Sequence, residues 1–366
     1  MSKIRGLFIG DAGADIERQT RAFSPIGGEI AAVDALDGST VVESLKNVDV
    51  AMADITGTFD SSIFQHMGFN GRCKGLVNLG HGYDQIDLDA ATENGVIIAN
   101  TASFGTEEVS NHAILLILAC ARKLVLHDRL MRSGKWTREH LESQPDRYND
   151  SLPIGHIAEQ ILGLIGSGYI GRATGRKARA LGMHVICFDP YVPDWDLKEY
   201  GFDRADTLEE LCIKSDYITL HPALTPETYH IMSDKQFAAM KPSAYLVNCG
   251  RGNLVDEKAL VRALRNRQIA GAGLDVFEQE PVDYNNPLLT MDNVTLTNHY
   301  ASTSEKAWDI VYVQMGEEAV RIATGTWPMS LVNRDVMANL KARPPAKAWN
   351  VYAQELQQQR SQVDSP

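Results

Sequence analysis

The feature that most constrains the fold is a group of three glycines inside residues 161–189, ILGLIGSGYIGRATGRKARALGMHVICFD. Gly166, Gly168 and Gly171 follow an apolar stretch in the spacing G-x-G-x-x-G, and Asp189 ends the next apolar stretch. This pattern predicts a strand, a tight turn, a helix and a second strand that ends in an acid. The six-residue motif is weak alone, but this order of elements is typical of α/β domains that bind dinucleotides.

Each position of the motif has a physical role. Gly166 permits the tight turn, Gly168 lets the backbone approach a pyrophosphate, and Gly171 allows the helix to pack closely on the strand. The first helical residues, Tyr169 and Ile170, present backbone N–H groups at the positive end of the helix dipole, which favours bound phosphate. We therefore expect these five residues to form a cofactor site.

Asp189 is expected to accept hydrogen bonds from the ribose hydroxyls of the adenosine. A 2′-phosphate would meet a like charge there, so the sequence favours NAD over NADP. Two alternatives remain open at this point. One is a glycine turn that binds no nucleotide, and the other is a methyltransferase, in which a strand-end acid also binds an adenosine ribose.

Composition limits the kinds of partner and the location. The chain has 366 residues and a formal net charge of −12, so two domains are expected and a nucleic-acid partner is not. The longest apolar stretch, residues 113–121, is far too short to span a membrane, and the N-terminus does not resemble a signal peptide. We therefore expect a cytoplasmic protein with no membrane partner.

The five cysteines are scattered, odd in number and without a C-x-x-C pair. This usage predicts reduced thiols and no metal site. Cys249 lies beside the residues proposed below for catalysis, and it would act as a nucleophile only if the fold supplied a partner histidine.

Strand-like and helix-like stretches alternate along the chain, which predicts parallel sheets covered by helices. A single long helix is expected from residue 106 to about 131, a loop or linker over 137–158, and a helix over 256–268. The strands are predicted at residues 4–9, 161–165, 184–188, 217–220, 244–248, 272–276 and 293–297.

Residues suited to acid–base chemistry follow three consecutive predicted strands. Arg251 lies between two glycines, and the planar fork of an arginine fits a carboxylate. Asp275, Glu278 and Glu280 lie at or just after the end of the next strand, and His299 follows the last. Each alone is as well explained by a surface ion pair, a solvated loop or an ordinary histidine. Their arrival at the carboxyl edge of one parallel sheet, where α/β domains bind ligands, favours an active site.

The chain resembles the D-2-hydroxyacid dehydrogenases over roughly residues 45–333. Residues 72–122 especially resemble the branch that contains phosphoglycerate dehydrogenases and C-terminal-binding corepressors. The resemblance rests on the segments GHGYDQIDLDAATENGV, GTEEVSNHA, RSGKW, GSGYIG, DYITLH with LTPET, LVNCGRGNLVDE, GLDVFEQEP and NVTLTNH.

The resemblance implies roles for individual residues. Arg251 would bind the substrate carboxylate, Glu280 would hold the histidine, and His299 would be the acid and base. Asp275 would contact the nicotinamide carboxamide, and Cys249 would lie in the cofactor site. The backbone N–H groups of Gly80, His81 and Gly82 would also bind the substrate carboxylate.

The resemblance further implies two doubly wound parallel-sheet domains, a Rossmann NAD-binding domain and a flavodoxin-like substrate domain, usually in a homodimer. The expected boundaries are 1–115 and 302–334 for the substrate domain, 116–301 for the NAD-binding domain, and 335–366 for a polar tail. The implied activity is NAD-dependent hydride transfer between a 2-oxo acid and a D-2-hydroxy acid. An NAD(H)-sensing interaction protein of the corepressor type is the alternative.

The sequence departs from the family pattern near the expected substrate site. Tyr300 and Ser302 follow the histidine where the family usually has smaller residues, and His81 is unusual in the substrate loop. We expect Tyr300 and Ser302 to influence which substrate is accepted.

Overall fold

The computed structural model describes residues 3–10, 16–34, 38–54, 59–137 and 156–342. These residues fall into two compact units. The split unit consists of the described parts of Met1–Phe104 and Ser304–Pro366, and the central unit is Gly105–Thr303.

The split unit contains a five-stranded parallel sheet in the order β2-β1-β3-β4-β5. This is the flavodoxin strand order, so the predicted flavodoxin-like fold is confirmed. The three strands β3 to β5 are buried along their whole length, as expected for parallel strands covered on both faces. The strands are β1 Arg5–Gly10, β2 Glu29–Asp34, β3 Val50–Ala53, β4 Gly75–Asn78 and β5 Ile97–Asn100. The helices are α1 Glu17–Phe23, α2 Gly38–Leu45, α3 Ser61–Phe64, α4 Leu88–Glu93, α12 Glu305–Ala323 and α13 Val336–Ala342.

The predicted polar tail begins later than expected. Val336–Ala342 is helical, and Val336 and Leu340 are buried in the core of the split unit. These two apolar residues are four positions apart, so they lie on one face of the helix and anchor it. Residues 343–366 of the predicted tail lie outside the described residues.

The central unit contains a seven-stranded parallel sheet in the order β12-β11-β10-β9-β6-β7-β8. Counted from the other edge of the sheet, the six strands β8-β7-β6-β9-β10-β11 have the Rossmann order 3-2-1-4-5-6. This order confirms the predicted Rossmann domain. The strands are β6 Ile161–Ile165, β7 His184–Phe188, β8 Asp203–Arg204, β9 Tyr217–Leu220, β10 Tyr245–Asn248, β11 Gly271–Leu274 and β12 Val294–Leu296. The helices are α5 Thr106–Ala121, α6 Leu124–Arg132, α7 Tyr169–Ala180, α8 Asp194–Glu199, α9 Leu208–Lys214, α10 Asp234–Ala239 and α11 Glu257–Arg265.

The prediction of one long helix from residue 106 to 131 is wrong. Two helices, α5 and α6, are bent by 65° at their break, where Lys123 has a left-handed backbone with φ of 50°. The apolar periodicity continues through the break, but α5 has many buried residues and α6 has none. The predicted boundary at 115/116 falls inside α5, whereas the units separate at Phe104 and Gly105, because α5 packs on the sheet of the central unit.

Among the described residues, no single helix has the length and apolar character needed to cross a bilayer, and only α5 and α6 taken together across their bend meet that criterion.

Candidate active site

The glycine loop joins β6 to α7 and has the geometry that its motif predicts. Gly166 has φ of 86°, and a Cβ there would lie 2.7 Å from the backbone nitrogen of Pro222. A Cβ on Gly171 would lie 2.2 Å from the carbonyl oxygen of Gly166. Both positions therefore exclude a side chain, one by conformation and contact and the other by the close approach of helix and turn.

Gly168 differs from these two glycines, because a Cβ there would have no neighbouring atom within 4 Å. It is the N-cap residue of α7, so it lies at the positive end of the helix dipole. A side chain would fill the cradle where a pyrophosphate approaches in this class of loop. The residues present therefore fit a dinucleotide cofactor.

Asp189 follows the last residue of β7 and lies against the glycine loop. Its carboxylate accepts hydrogen bonds from the backbone N–H of Ser167 at 2.7 Å and from that of Tyr191 at 3.0 Å. These contacts place a negative charge beside the loop, where the ribose of a dinucleotide lies in such folds.

Arg251 follows β10 in a turn that Asn248 organises. The Asn248 amide donates to the Arg251 carbonyl at 2.8 Å and accepts from the Gly250 N–H at 3.0 Å. A Cβ on Gly252 would lie 1.8 Å from the carbonyl oxygen of Phe277. The arginine turn therefore packs directly on the segment that carries Glu280, and this contact requires glycine.

His299 and Glu280 form a short hydrogen-bonded pair. The Nδ1 atom of His299 lies 2.6 Å from Oε2 of Glu280, whose Oε1 accepts from the Phe277 N–H at 3.0 Å. The His299 side chain is 49% exposed, so solvent and small molecules can reach its ring. The carboxylate is oriented by the backbone, and it orients the imidazole in turn.

The electrostatics of the pair favour a charged imidazole. The hydrogen bond with Glu280 raises the pKa of His299 above its ordinary value, although partial burial and the charge of Arg251 oppose this change. Partial burial alone would raise the pKa of Glu280, but its hydrogen bonds to His299 and Phe277 and the charges of His299 and Arg251 lower it overall. Arg251 therefore lies close enough to act on both members of the pair.

The structure shows what the Asp275 carboxylate binds within the chain. The residue is fully buried, and its carboxylate accepts hydrogen bonds from Thr297 Oγ1 at 2.6 Å, Tyr300 N–H at 2.8 Å and Ala301 N–H at 3.0 Å. Three donors from the turn that carries His299 thus engage the carboxylate that was expected to contact a nicotinamide. Asp275 holds that turn.

Cys249 is buried directly after β10. Burial raises the pKa of its thiol well above the ordinary value, and the charge of Asp275 raises it further. The thiol therefore stays protonated, which disfavours a nucleophilic role. The described residues contain no group of three or more histidine, cysteine and acidic side chains that could hold a metal ion.

The loop Gly80–Gly82 lies after β4 in the split unit and is tied by neighbouring side chains. The Gly80 N–H donates to Thr101 Oγ1 at 2.7 Å, and the amides of Asn78 and Asn100 donate to the carbonyls of Gly82 and His81. Thr101 therefore accepts the hydrogen that Gly80 was expected to offer to a substrate carboxylate.

Sequence reasoning missed two residues behind the histidine turn. His112 lies on α5, and its Nε2 atom is 2.9 Å from Thr297 Oγ1. Thr297 in turn binds Asp275. No local pattern connects His112 to Thr297, since 185 positions separate them.

Comparisons with known proteins show what this chain is similar to. A family model described as the NAD-binding domain of D-isomer-specific 2-hydroxyacid dehydrogenases matches residues 114–301. A glyoxylate reductase from Korarchaeum cryptofilum is 36% identical over 306 residues, which is 83% of this chain and 88% of that protein. A D-3-phosphoglycerate dehydrogenase from Methanocaldococcus jannaschii is 34% identical over 84% of this chain but only 56% of that longer protein.

A solved structure is also similar to this chain. The NADPH-dependent glyoxylate/hydroxypyruvate reductase of Sinorhizobium meliloti, in complex with NADP and malonate, superposes with a TM-score of 0.76 at 28% identity, over 92% of this chain and 98% of that one. The similarity therefore extends over most of the chain.

Proposed function

The chain belongs to the D-isomer-specific 2-hydroxyacid dehydrogenase family and is an NAD-dependent oxidoreductase, and on that premise we propose that His299 is the acid and base that converts a 2-oxo acid to a D-2-hydroxy acid and back. The observation that carries this proposal is the 2.6 Å contact between His299 Nδ1 and Glu280 Oε2. This contact lies at the carboxyl edge of the sheet that holds the glycine loop.

When bound, NADH supplies the hydride that adds to C2 of a 2-oxo acid. Negative charge then develops on the oxygen of the 2-oxo group, and His299 donates its proton from Nε2 to that oxygen, because Nδ1 is held by Glu280. Glu280 stabilises the imidazolium before transfer. In the reverse direction neutral His299 accepts the proton of the hydroxyl group.

Arg251 is proposed to bind the substrate carboxylate. A guanidinium presents two parallel N–H donors to a carboxylate, which fixes the substrate in one orientation. Its positive charge also stabilises the charge that grows on the carbonyl oxygen. The cation matters here because the net charge of −12 would otherwise repel an anionic substrate.

The substrate class is proposed to be a small 2-oxo acid. The glyoxylate reductases among the relatives support glyoxylate as the first compound to assay. His81 and Gly82 are proposed to contact the substrate carboxylate through their backbone. Tyr300 and Ser302 are proposed to restrict the size of the substrate.

The proposal is tested with purified protein by following NADH oxidation with glyoxylate, hydroxypyruvate, pyruvate and longer 2-oxo acids. We expect turnover with at least one of them and a loss of about 10²-fold or more in kcat for His299→Ala. Full turnover of His299→Ala would exclude the proposed role. If no 2-oxo acid is reduced, but NADH-dependent capture of a protein partner survives Arg251→Ala, the corepressor-type alternative holds instead.

We also propose that the protein is a cytoplasmic homodimer. Large apolar side chains that are at least half exposed recur along α5, α6 and the following residues, as expected of a surface that another subunit covers: Leu115, Leu124, Met131 and Trp136. All five cysteines are free and buried, which suits a reducing compartment.

A further inference from the structure

His299 has a backbone conformation that its side chain disfavours. Its φ is 54°, in the left-handed region that glycine adopts readily and residues with a Cβ adopt rarely. Such a conformation persists only where the surrounding structure imposes it. Since the His299 ring is half exposed, packing around the ring does not impose it.

The constraint comes from Asp275, which accepts four hydrogen bonds from the turn that carries His299. Its carboxylate accepts from Thr297 Oγ1, Tyr300 N–H and Ala301 N–H, and its carbonyl oxygen accepts from the His299 N–H at 2.7 Å. Consecutive N–H groups that converge on one anion after a left-handed residue form a nest. The fully buried carboxylate is the anion of this nest, and the left-handed residue is His299.

The position of the Asp275 carboxylate depends in turn on Thr297 and His112. The Thr297 hydroxyl has a single hydrogen, which must point to Asp275 because an ionised carboxylate can only accept. The Thr297 oxygen therefore accepts from His112, so Nε2 of His112 carries a hydrogen. The His112 side chain is 13% exposed, and its Nε2 atom is also 3.6 Å from the Asp275 carboxylate.

We propose that His112 and Thr297 are positioning residues, which act through Asp275 to hold the turn 297–301 and so present His299 to Glu280. The inference rests on the proposed function for its effect on turnover. It is supported by a series of hydrogen bonds that begins at His112 on α5 and continues through Thr297 and Asp275 to the turn. Each of these hydrogen bonds is 2.6–3.0 Å long. Neither residue touches the reacting atoms in this scheme.

The first test compares Thr297→Val with Thr297→Ser. Valine keeps the shape of threonine but removes the hydroxyl, so the links to both Asp275 and His112 are lost. Serine keeps them. We expect kcat to fall at least about tenfold in Thr297→Val, because a small displacement of an acid from its partner is costly. The KM for NADH should stay within about twofold of the wild type in both variants. The kcat of Thr297→Ser should stay within the same range.

A second pair separates positioning from folding. His112→Leu removes the donor from α5, whereas the amide of His112→Gln keeps an N–H at a similar distance. We expect kcat to fall in His112→Leu and to recover in His112→Gln. Thr174→Val is the control matched to Thr297→Val, since Thr174 is a buried threonine whose hydroxyl bonds only to its own helix, through the Ile170 carbonyl. This control should keep the wild-type kcat.

The decisive readout is the titration of the His299 ring by NMR, which needs no turnover. The charged groups that face this ring are Glu280, Arg251 and Asp275. If the turn moves and the contact with Glu280 weakens, the pKa of His299 falls in Thr297→Val and His112→Leu. An unchanged His299 titration and kcat in whichever of these two variants folds would overturn the inference.

The same readout keeps the two proposals distinguishable. If the wild type reduces no 2-oxo acid, the proposed function fails while the titration still reports on the turn. If the wild type is active but neither the His299 titration nor kcat changes in Thr297→Val and His112→Leu, the positioning inference fails alone.

Discussion

His299 acts as an acid only while it carries a proton, so its contact with Glu280 sets the pH range of reduction. The hydrogen bond with Glu280 raises the pKa of His299 above the ordinary value of about 6.5. Reduction should therefore persist above that pH and fall as pH rises through the raised pKa. Oxidation needs the neutral ring and should rise through the same pKa.

Glu280→Gln should move the pH at which reduction falls to a lower value. The amide carries no charge, so the imidazolium loses its main stabilising partner and the pKa of His299 falls. At a pH above the pKa of His299, each pH unit by which that pKa falls lowers kcat/KM for reduction about tenfold. The pH profile of kcat/KM is the measurement, and Glu278→Gln, which removes a neighbouring acid that does not contact His299, is the control. Coincident profiles for Glu280→Gln and wild type would contradict the prediction.

Asp189 should determine the choice between NADH and NADPH. Its carboxylate is held against the glycine loop by the N–H groups of Ser167 and Tyr191, so a 2′-phosphate would meet a fixed negative charge. We expect the wild type to prefer NADH, and Asp189→Ser to raise the NADPH to NADH ratio of kcat/KM by about tenfold or more, since the removed repulsion is worth at least about 1.4 kcal/mol. Asp203→Asn, at the exposed start of β8, is the control. A wild type that already prefers NADPH would refute this.

At the scale of elements, the glycine loop separates stability from cofactor binding. In Gly171→Ala the new methyl would meet the Gly166 carbonyl at 2.2 Å, so we expect a loss of about 1–3 kcal/mol of stability. In Gly168→Ala the methyl would meet no atom within 4 Å, so the melting temperature should hold while NADH binding weakens about tenfold. Thermal unfolding without cofactor and NADH fluorescence measure the two effects, and equal losses of stability would argue against this division.

Strands were the elements that the sequence predicted best. Residues 161–165, 184–188 and 217–220 form strands with those bounds, because short apolar runs between glycines and polar residues have few other ways to be buried. The break at Lys123 was not predictable in the same way. Apolar periodicity continues across it, and only the contact of α5 with the sheet, which α6 does not share, ends the first helix there.

At the scale of the molecule, the exposed apolar residues of α6 test the proposed dimer. Leu124 and Met131 are both more than half exposed, so burial by a partner would stabilise the assembly. We expect Leu124→Glu combined with Met131→Glu to shift the protein from dimer to monomer in sedimentation or light scattering. Met329→Glu, at an exposed methionine of the split unit, should leave the dimer intact. A wild type that is monomeric at all concentrations would disprove the homodimer.

The sequence by itself determined the two parallel sheets, the cofactor loop and the approach of Arg251, Glu280 and His299. This was possible because strands that run parallel bring their carboxyl ends to one edge, so residues at consecutive strand ends become neighbours. Tertiary structure alone decided that Asp275 holds the histidine turn and that His112 supports it. That chain joins residues 185 positions apart, and no local periodicity or propensity encodes such a contact.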